Sequence, residues 1–176
     1  MKSMEMQARY LATRYHLGQN RKYTGDPYIV HPAAVVELVR SVPHTDAMLC
    51  AAWLHDVVED TQCTITEIDA VFGAEVAELV EMLTDVSKPS DGNRAIRKGL
   101  DLQHTAKSNA QAKTIKLADL IDNTASIVEH DKGFAKIYLA EKALLLEVLR
   151  RGDRTLWNVA YAMLLNSETK LREELK

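Results

Sequence analysis

Apolar residues recur at the three- and four-residue spacing of an α-helix along almost the whole chain. Residues 4–16 show the pattern first, with one apolar stripe formed by Ala8, Leu11, Ala12 and Tyr15. Similar segments predict helices over residues 32–42, 46–54, 64–73, 76–85, 94–107, 110–129, 134–150 and 155–171. No segment alternates apolar and polar residues as a half-buried strand does. The pattern therefore predicts an all-α fold.

Turn and cap residues mark the ends of several of these segments. Pro32 suits the first turn of the second helix, where a backbone N–H is not needed. Thr64 and Glu67 have the spacing of a capping box, and Gly73 is a suitable residue to end that helix. Segment 87–93 carries the strongest loop signal in the chain. These signals agree with the boundaries that the apolar pattern predicts.

The length and composition indicate one domain. A chain of 176 residues with 47% hydrophobic residues can bury a sizeable core. Seven glycines and four prolines leave little room for linkers, and no internal repeat is present. We therefore expect a single domain that spans residues 1–176.

The charge and the cysteines exclude several classes of protein. The formal net charge of −3 does not produce the basic field that non-specific nucleic-acid binding needs. Cys50 and Cys63 fit no metal-ligand spacing, the N-terminus lacks the apolar region of a signal peptide, and no apolar run approaches the roughly 18 residues of a membrane span. We therefore expect a soluble protein of the cytoplasm, a reducing compartment, with neither a nucleic-acid nor a membrane partner.

The most unusual segment contains the pair His55-Asp56. Every residue from Ala47 to Leu54 is apolar, and four ionisable groups follow within six residues. Unpaired buried carboxylates cost several kcal/mol, and acids at a helix C-terminus are disfavoured by the helix dipole. A divalent cation bound by this His and Asp would offset both costs. The alternative is that the helix ends at Leu54 and the acids form a solvated loop.

Two other segments also place polar groups in apolar helical surroundings. His31 is the strongly polar residue of segment 28–36, and by itself it could be a core histidine with satisfied hydrogen bonds. Asp119 lies among apolar residues of segment 115–123, where an intrahelical pair with Lys116 is the alternative. Taken together, the segments supply a plausible set of metal ligands: His31, His55, Asp56 and Asp119.

The order of these residues resembles the HD phosphohydrolase superfamily, whose pattern is an early His, an adjacent His-Asp pair and a late Asp. Segments 18–32 and 55–61, and segment 116–119 followed by Asn123, are similar to the three motifs of RelA/SpoT-type alarmone hydrolase domains. The resemblance covers roughly residues 9–128. It implies an HD-domain helical bundle with a metal site at its centre. It further implies a stand-alone small alarmone hydrolase, because no synthetase domain or regulatory tail is seen in this sequence.

The resemblance also implies a role for each matching residue. His31, His55, Asp56 and Asp119 match the ligands of one Mn²⁺ ion per chain. Glu59 and Asp60 match the acidic pair that positions or activates the attacking water. Arg21, Lys22 and Asn123 match residues that contact a guanine nucleotide. The implied reaction removes the 3′-pyrophosphate from guanosine tetra- or pentaphosphate and yields GDP or GTP plus pyrophosphate.

Two positions depart from the family pattern. Leu120 stands where a basic residue is usual, and Asp122 stands where an aromatic residue or His is usual. A lost cation would weaken phosphate binding or change the preferred nucleotide, and Arg94, Arg97 and Lys98 are candidates to replace it. Two other functions therefore stay open. The chain could act on another phosphorylated nucleotide, such as the 2′-phosphate of NADPH, or it could bind the alarmone without catalysis.

Overall fold

A computed structural model describes residues 3–173, and the regular structure in that part of the chain is helical except for one isolated bridge between Asn20 and Pro27. The helices are α1 (Met4–Tyr15), α2 (Val30–Arg40), α3 (Asp46–Leu54), α4 (Val57–Asp60), α5 (Ile65–Phe72), α6 (Ala74–Leu83), α7 (Arg94–Lys107), α8 (Ala110–His130), α9 (Lys132–Val148) and α10 (Arg154–Glu173). A short 3₁₀ turn, Pro89–Asp91, lies in the predicted loop. The all-α prediction is confirmed for residues 3–173. Residues 1–2 and 174–176 lie outside the part of the chain that the structure describes.

Helices α3 and α8 form the centre of the bundle. Helix α3 is buried at every residue from Ala47 to Leu54 and packs against α1, α2, α6 and α8. Helix α8 packs against α2, α3, α6, α9 and α10. Each buried aliphatic side chain contributes about 1.5–3 kcal/mol of hydrophobic free energy, so these contacts hold the two central helices in place. The polar groups that follow the end of α3 and those within α8 are therefore fixed by the core around them.

The capping residues explain most of the helix boundaries. Thr64 and Glu67 form the predicted capping box, and Gly73 ends α5 with a positive φ of 83°. Pro32 lies in the first turn of α2, as predicted, although that helix begins two residues earlier, at Val30. Helix α9 begins at residue 132 instead of the predicted 134, because the side chain of Asp131 accepts a hydrogen bond from the Phe134 N–H and caps the helix. In residues 3–173 no helix is long and apolar enough to cross a membrane.

The chain breaks its helical path at the pair His55-Asp56. Helix α3 ends at Leu54, and the four residues of α4 follow after the pair. The first half of the solvated-loop alternative is therefore correct, since the helix does end there. The second half, a solvated loop of acids, is wrong for Asp56, whose side chain is 16% exposed, while Glu59 and Asp60 are exposed but lie on helix α4. The break turns the two polar side chains toward α2 and α8.

Candidate metal centre and active site

Four predicted donor side chains converge between α2, α8 and the turn after α3. His31 Nε2 lies 3.2 Å from His55 Nε2, 3.5 Å from Asp56 Oδ2 and 3.3 Å from Asp119 Oδ1. His55 Nε2 lies 3.1 Å from Asp56 Oδ2 and 4.0 Å from Asp119 Oδ1. His31, His55 and Asp56 each bring a donor atom within 4.8 Å of the other two. Asp119 joins this group through the two imidazoles.

These distances suit a single divalent ion. An ion bound to nitrogen and oxygen at about 2.1 Å holds neighbouring ligand atoms about 3 Å apart when the bonds are perpendicular. The side chains of His31, His55 and Asp119 are 1%, 1% and 7% exposed, and that of Asp56 is 16% exposed. Two carboxylates this deeply buried need a compensating positive charge. The residues present therefore fit a divalent metal ion.

The outer nitrogen of each imidazole has a hydrogen-bond partner that orients the ring. His55 Nδ1 lies 2.9 Å from the Ala52 carbonyl oxygen, one of the acceptors that the end of α3 leaves open. His31 Nδ1 lies 2.6 Å from Asp122 Oδ2. Because both partners accept, both Nδ1 atoms act as donors, and both Nε2 atoms face the site. A proton held at Nδ1 in this way would leave each Nε2 lone pair for a metal ion.

Asp119 makes the intrahelical contact with Lys116 that was the alternative to metal binding. It also lies at the candidate metal centre. Lys116 Nζ is 3.1 Å from Asp119 Oδ2, while Asn123 Nδ2 donates to Asp119 Oδ1 over 2.6 Å. Burial opposes ionisation of Asp119, but the ammonium of Lys116 and the hydrogen bond from His31 outweigh it, and the pKa lies well below its usual value. The intrahelical pair is therefore part of the site and not an alternative to it.

The surroundings of the two histidines favour positive charge. Burial lowers the pKa of His31, but its hydrogen bonds to Asp119 and Asp122 raise the pKa to about 9. Burial opposes protonation of His55 in the same way, and the adjacent Asp56 raises its pKa. The carboxylates thus stabilise a cation at this position, whether it is a proton or a metal ion.

Tyr28 supports the site, and the sequence analysis did not single it out. Its hydroxyl donates to Asp56 Oδ2 over 2.5 Å. Burial and the negative charge of Asp56 raise the pKa of Tyr28, so the hydroxyl keeps its proton and remains a donor. The available signal was its position three residues before His31, in the turn that leads into α2.

Glu59 and Asp60 lie on α4, beside the metal centre. The Asp60 N–H donates to the Asp56 carbonyl over 2.9 Å, so Asp60 is one helical turn beyond Asp56, as predicted. Glu59 Oε2 accepts from the Asp85 N–H over 3.2 Å. Solvent reaches both carboxylates, yet partial burial and the charge of Asp85 raise the pKa of Glu59 to about 7. Burial and the charge of Asp56 also raise the pKa of Asp60.

The three predicted nucleotide contacts occupy different environments. The Arg21 guanidinium is 13% exposed, donates to Asp122 Oδ2 over 2.8 Å and to Asn123 Oδ1 over 3.3 Å. Lys22, by contrast, is 74% exposed and lies 3.6 Å from a carboxylate oxygen of Asp131. Arg21 and Asn123 therefore reach the metal centre, whereas Lys22 lies on the surface.

Cavities lie on both sides of the metal centre. The α2–α8 cavity, of about 250 Å³, is lined by residues that include Arg21, Thr24, Val30, His31, Asp122 and Ser126. The Glu59 cavity, of about 240 Å³, is lined by Glu59, Asp85, Ser87, Arg94, Arg97 and Lys98. It shares residues with the α7–α9 cavity, of about 350 Å³, whose lining includes Lys98, Leu102, Lys116, Tyr138, Leu145 and Lys142.

The basic side chains that line the Glu59 cavity and the α7–α9 cavity fall into two groups. Some are already paired with a carboxylate side chain, and others are not. Arg94 makes two hydrogen bonds of 2.7 Å to Glu141, and Lys98 lies 2.7 Å from Asp85. Within residues 3–173, Arg97 and Lys142 have no carboxylate at ion-pairing distance, and the buried Nε of Arg97 has no hydrogen-bond partner. Of the three candidate replacement cations, only Arg97 is therefore available to an anion.

Leu120 does not face these cavities. Its side chain is 2% exposed and belongs to the hydrophobic core. A residue with this orientation contributes to packing of α8, so its lack of charge removes no cation from the cavity walls. Lys142, on α9, is a further cation in the wall of the α7–α9 cavity. The sequence provides no local signal that this helix borders the site.

Comparison with known proteins supports the assignment of the fold. A family model described as HD domain matches residues 8–144. A probable guanosine-3′,5′-bis(diphosphate) 3′-pyrophosphohydrolase of Synechocystis sp. is 51% identical over 70 residues, which are 40% of this chain and 9% of that protein. The human guanosine-3′,5′-bis(diphosphate) 3′-pyrophosphohydrolase is 40% identical over 121 residues, which are 67% of this chain and 66% of that protein. The chain thus spans less than two thirds of either curated relative.

A solved structure agrees with this result. The structure of a metazoan ortholog of SpoT that hydrolyzes ppGpp matches with a TM-score of 0.84 and 28% sequence identity. The match covers 94% of this chain and 96% of that one. The family model covers more than half of the chain, and the convergence of two histidines and two aspartates agrees with it. The chain therefore belongs to the HD domain family.

Proposed function

We propose that this protein hydrolyses the 3′-pyrophosphate of guanosine tetra- or pentaphosphate and yields GDP or GTP plus pyrophosphate. The observation that carries the proposal is a candidate divalent-metal site bordered by cavities in which Arg97 and Lys142 have no carboxylate at ion-pairing distance among residues 3–173. A site of this kind suits a substrate with several phosphates. The functions named for the human and metazoan relatives support the same substrate.

We propose that His31, His55, Asp56 and Asp119 hold one Mn²⁺ ion. Carboxylate oxygens suit Mn²⁺, and imidazole nitrogens are common ligands of divalent first-row metals. When bound, such an ion lowers the pKa of a coordinated water and polarises the phosphoryl group. Tyr28 and Asn123 keep the ligand carboxylates in place through their hydrogen bonds to Asp56 and Asp119.

Glu59 and Asp60 are the proposed acid–base groups. The Asp85 N–H holds Glu59 Oε2, which leaves Oε1 to accept a proton from the attacking water. A carboxylate whose pKa is raised to about 7 is a suitable general base near neutral pH. Asp60 lies one turn beyond Asp56, where it can orient the same water or protonate the leaving 3′-oxygen.

The guanine base is proposed to bind in the α2–α8 cavity. The N–H groups of Arg21 already donate to Asp122 and Asn123, so its planar face, and not its edge, is available to the ligand. A guanidinium plane stacks well on an aromatic base. Lys22 is exposed, and its proposed contact is a weaker one with the outer part of the nucleotide.

The 5′-phosphates are proposed to bind beside α7 and α9, at Arg97 and Lys142. Burial lowers the pKa of Lys142 to about 7, because the charges of Asp119 and Asp85 compensate only part of the loss of solvent. Its Nζ lies 4.4 Å from the centroid of the Tyr138 ring, which holds the ammonium without neutralising it. A bound phosphate would supply the missing negative charge and restore full protonation.

The proposed function is tested by incubating the purified protein with guanosine tetraphosphate and Mn²⁺ and identifying the products. GDP and pyrophosphate in equal amounts are the expected result. Release of inorganic phosphate from NADPH, with guanosine tetraphosphate unchanged, would instead identify a different nucleotide phosphohydrolase. Tight binding of guanosine tetraphosphate without turnover would identify a binding module.

Loss of the Lys142 charge is expected to raise the KM for guanosine tetraphosphate by about tenfold, equivalent to roughly 1.4 kcal/mol. Lys142→Met preserves much of the apolar stem and removes the ammonium. Lysine is charged below its pKa, so the wild-type KM should rise as the pH increases through about 7, and this dependence should disappear in Lys142→Met. Steady-state kinetics from pH 6 to pH 9 provides the measurement.

Arg97→Gln is expected to raise the KM by a similar factor, whereas Arg94→Gln serves as the matched control. Both residues lie on α7 and line the Glu59 cavity, but Arg94 is already paired with Glu141. Equal KM values for wild type, Lys142→Met and Arg97→Gln would place the 5′-phosphates elsewhere.

A small guanine nucleotide is the only partner that we propose, and cytoplasm is the proposed location. Alarmone substrates would be met there, and Cys50 and Cys63 are both buried free thiols.

A further inference from the structure

Asp122 is the residue whose identity departs from the family pattern and whose side chain contacts two functional groups. One atom, Oδ2, accepts from His31 Nδ1 over 2.6 Å and from Arg21 Nη2 over 2.8 Å. Its side chain is 23% exposed, and it lines the α2–α8 cavity. A single carboxylate oxygen therefore joins a proposed metal ligand to a proposed nucleotide contact.

The contact with His31 determines which ring nitrogen can bind a metal. An acceptor at Nδ1 keeps the proton there and leaves the Nε2 lone pair directed toward His55, Asp56 and Asp119. A negatively charged acceptor also makes the imidazole a stronger donor toward a metal. Without Asp122, His31 Nδ1 would lie against the α2–α8 cavity without an acceptor from the protein.

The contact with Arg21 determines the orientation of its guanidinium. Arg21 belongs to the connection between α1 and α2, and its side chain reaches α8 across 101 residues of sequence. Asp122 and Asn123 hold two of its nitrogens, so the plane of the group is fixed. A phenylalanine or a tryptophan at position 122 would offer no acceptor for either hydrogen bond.

We propose that Asp122 is a positioning residue of this chain, which orients His31 for metal binding and Arg21 for the nucleotide base through one shared oxygen atom. The inference concerning Arg21 rests on the proposed function, whereas the inference concerning His31 rests only on the metal site. In this proposal Asp122 acts through its hydrogen bonds to His31 Nδ1 and Arg21 Nη2.

The test measures metal affinity first, because that readout does not depend on activity. Mn²⁺ is titrated into metal-free protein, and the free ion is followed by electron paramagnetic resonance. Asp122→Asn, which keeps the shape and removes the charge, should weaken Mn²⁺ binding by about tenfold to a hundredfold. Glu129→Gln removes one charge from the same cavity wall, two turns further along α8, and should change the affinity less than about twofold.

A second variant guards against misfolding. Asp122→His introduces a residue that the family pattern tolerates at this position, so the fold should remain intact, as judged by circular dichroism. The same loss of Mn²⁺ affinity is expected, since a neutral imidazole is a weaker acceptor for His31. Mn²⁺ affinity within about twofold of wild type in both folded variants would overturn the proposal.

The proposal that Asp122 orients Arg21 is tested by a double-mutant cycle, in which the KM for guanosine tetraphosphate is measured at saturating Mn²⁺. Arg21→Ala should raise the KM by about tenfold in the wild type and by less than threefold in Asp122→Asn, because the orientation of Arg21 is already lost. Equal effects in the two backgrounds would show that Asp122 does not orient Arg21. If the wild type fails to hydrolyse the nucleotide, the proposed function fails, while the Mn²⁺ titration still tests the contact with His31.

Discussion

His55→Ala and Asp56→Ala are expected to remove the bound metal ion and to abolish turnover. His55 contributes a buried imidazole at 3.2 Å from His31 Nε2, and Asp56 contributes a carboxylate oxygen that lies 3.1 Å from His55 Nε2 and 3.5 Å from His31 Nε2. Loss of either donor leaves too few ligands to hold a divalent ion against water. The wild type should contain close to one ion per chain by elemental analysis, and each variant should contain almost none.

A matched control shows whether the loss of metal and turnover is specific to the site or follows from the removal of any histidine. His44→Ala removes an exposed imidazole near the other end of α3, and it should retain both metal and activity. The helical circular dichroism signal should persist in all variants. Metal-free wild type should unfold at a lower temperature than the metal-loaded protein, because binding stabilises only the folded state. Stoichiometric metal in both alanine variants would remove the site assignment.

Glu59→Gln and Asp60→Asn are expected to lower turnover by about two to four orders of magnitude, the usual range for general acid–base catalysis. Both changes keep the shape of the side chain and remove its ability to accept a proton. The metal content should change little, because neither residue belongs to the four converging donors. Single-turnover kinetics with guanosine tetraphosphate provides the measurement.

The pH profile identifies which of the two acids is the base. Glu59 accepts a proton only when ionised, so the rate should rise with pH until the carboxyl is deprotonated, near pH 7 or below when a metal ion adds positive charge. Glu59→Gln should lose this acidic limb, whereas Glu78→Gln, at an exposed position on α6, should keep it. Near-wild-type turnover in both active-site variants would show that neither acid acts as the base.

Helix positions and the four candidate metal ligands could be predicted from the sequence because the signals for them are local. The spacing of apolar residues in α3 and α8 indicates which helix faces are buried in the core. The capping box at Thr64 indicates a helix start, because the free N–H groups there need hydrogen-bond acceptors. His31, His55 and Asp119 are conspicuous because each interrupts an apolar segment. Burial of a polar group is costly, so such interruptions indicate a function.

The break after Leu54 was only an alternative in the sequence analysis. Propensity alone does not distinguish a helix that continues through His55-Asp56 from one that stops there. The His55 side chain bonds the Ala52 carbonyl at the end of α3, and the neighbouring helices hold the turned chain. Burial on all sides of α3 therefore determined the direction in which these ligands point.

The sequence by itself predicted an all-helical chain, which the structure confirms for residues 3–173. It also predicted the four donor residues and the acidic pair Glu59 and Asp60, whose roles stay predictions. Only the tertiary structure decided that α9 brings Lys142 to the site, that Lys22 lies on the surface and that Asp122 joins Arg21 to His31. The physical reason is that the spacing of apolar residues along a helix shows which face of that helix is buried. It does not show which other helix packs against that face. Contacts between residues far apart in the chain depend on how the helices pack, and the whole core determines that packing.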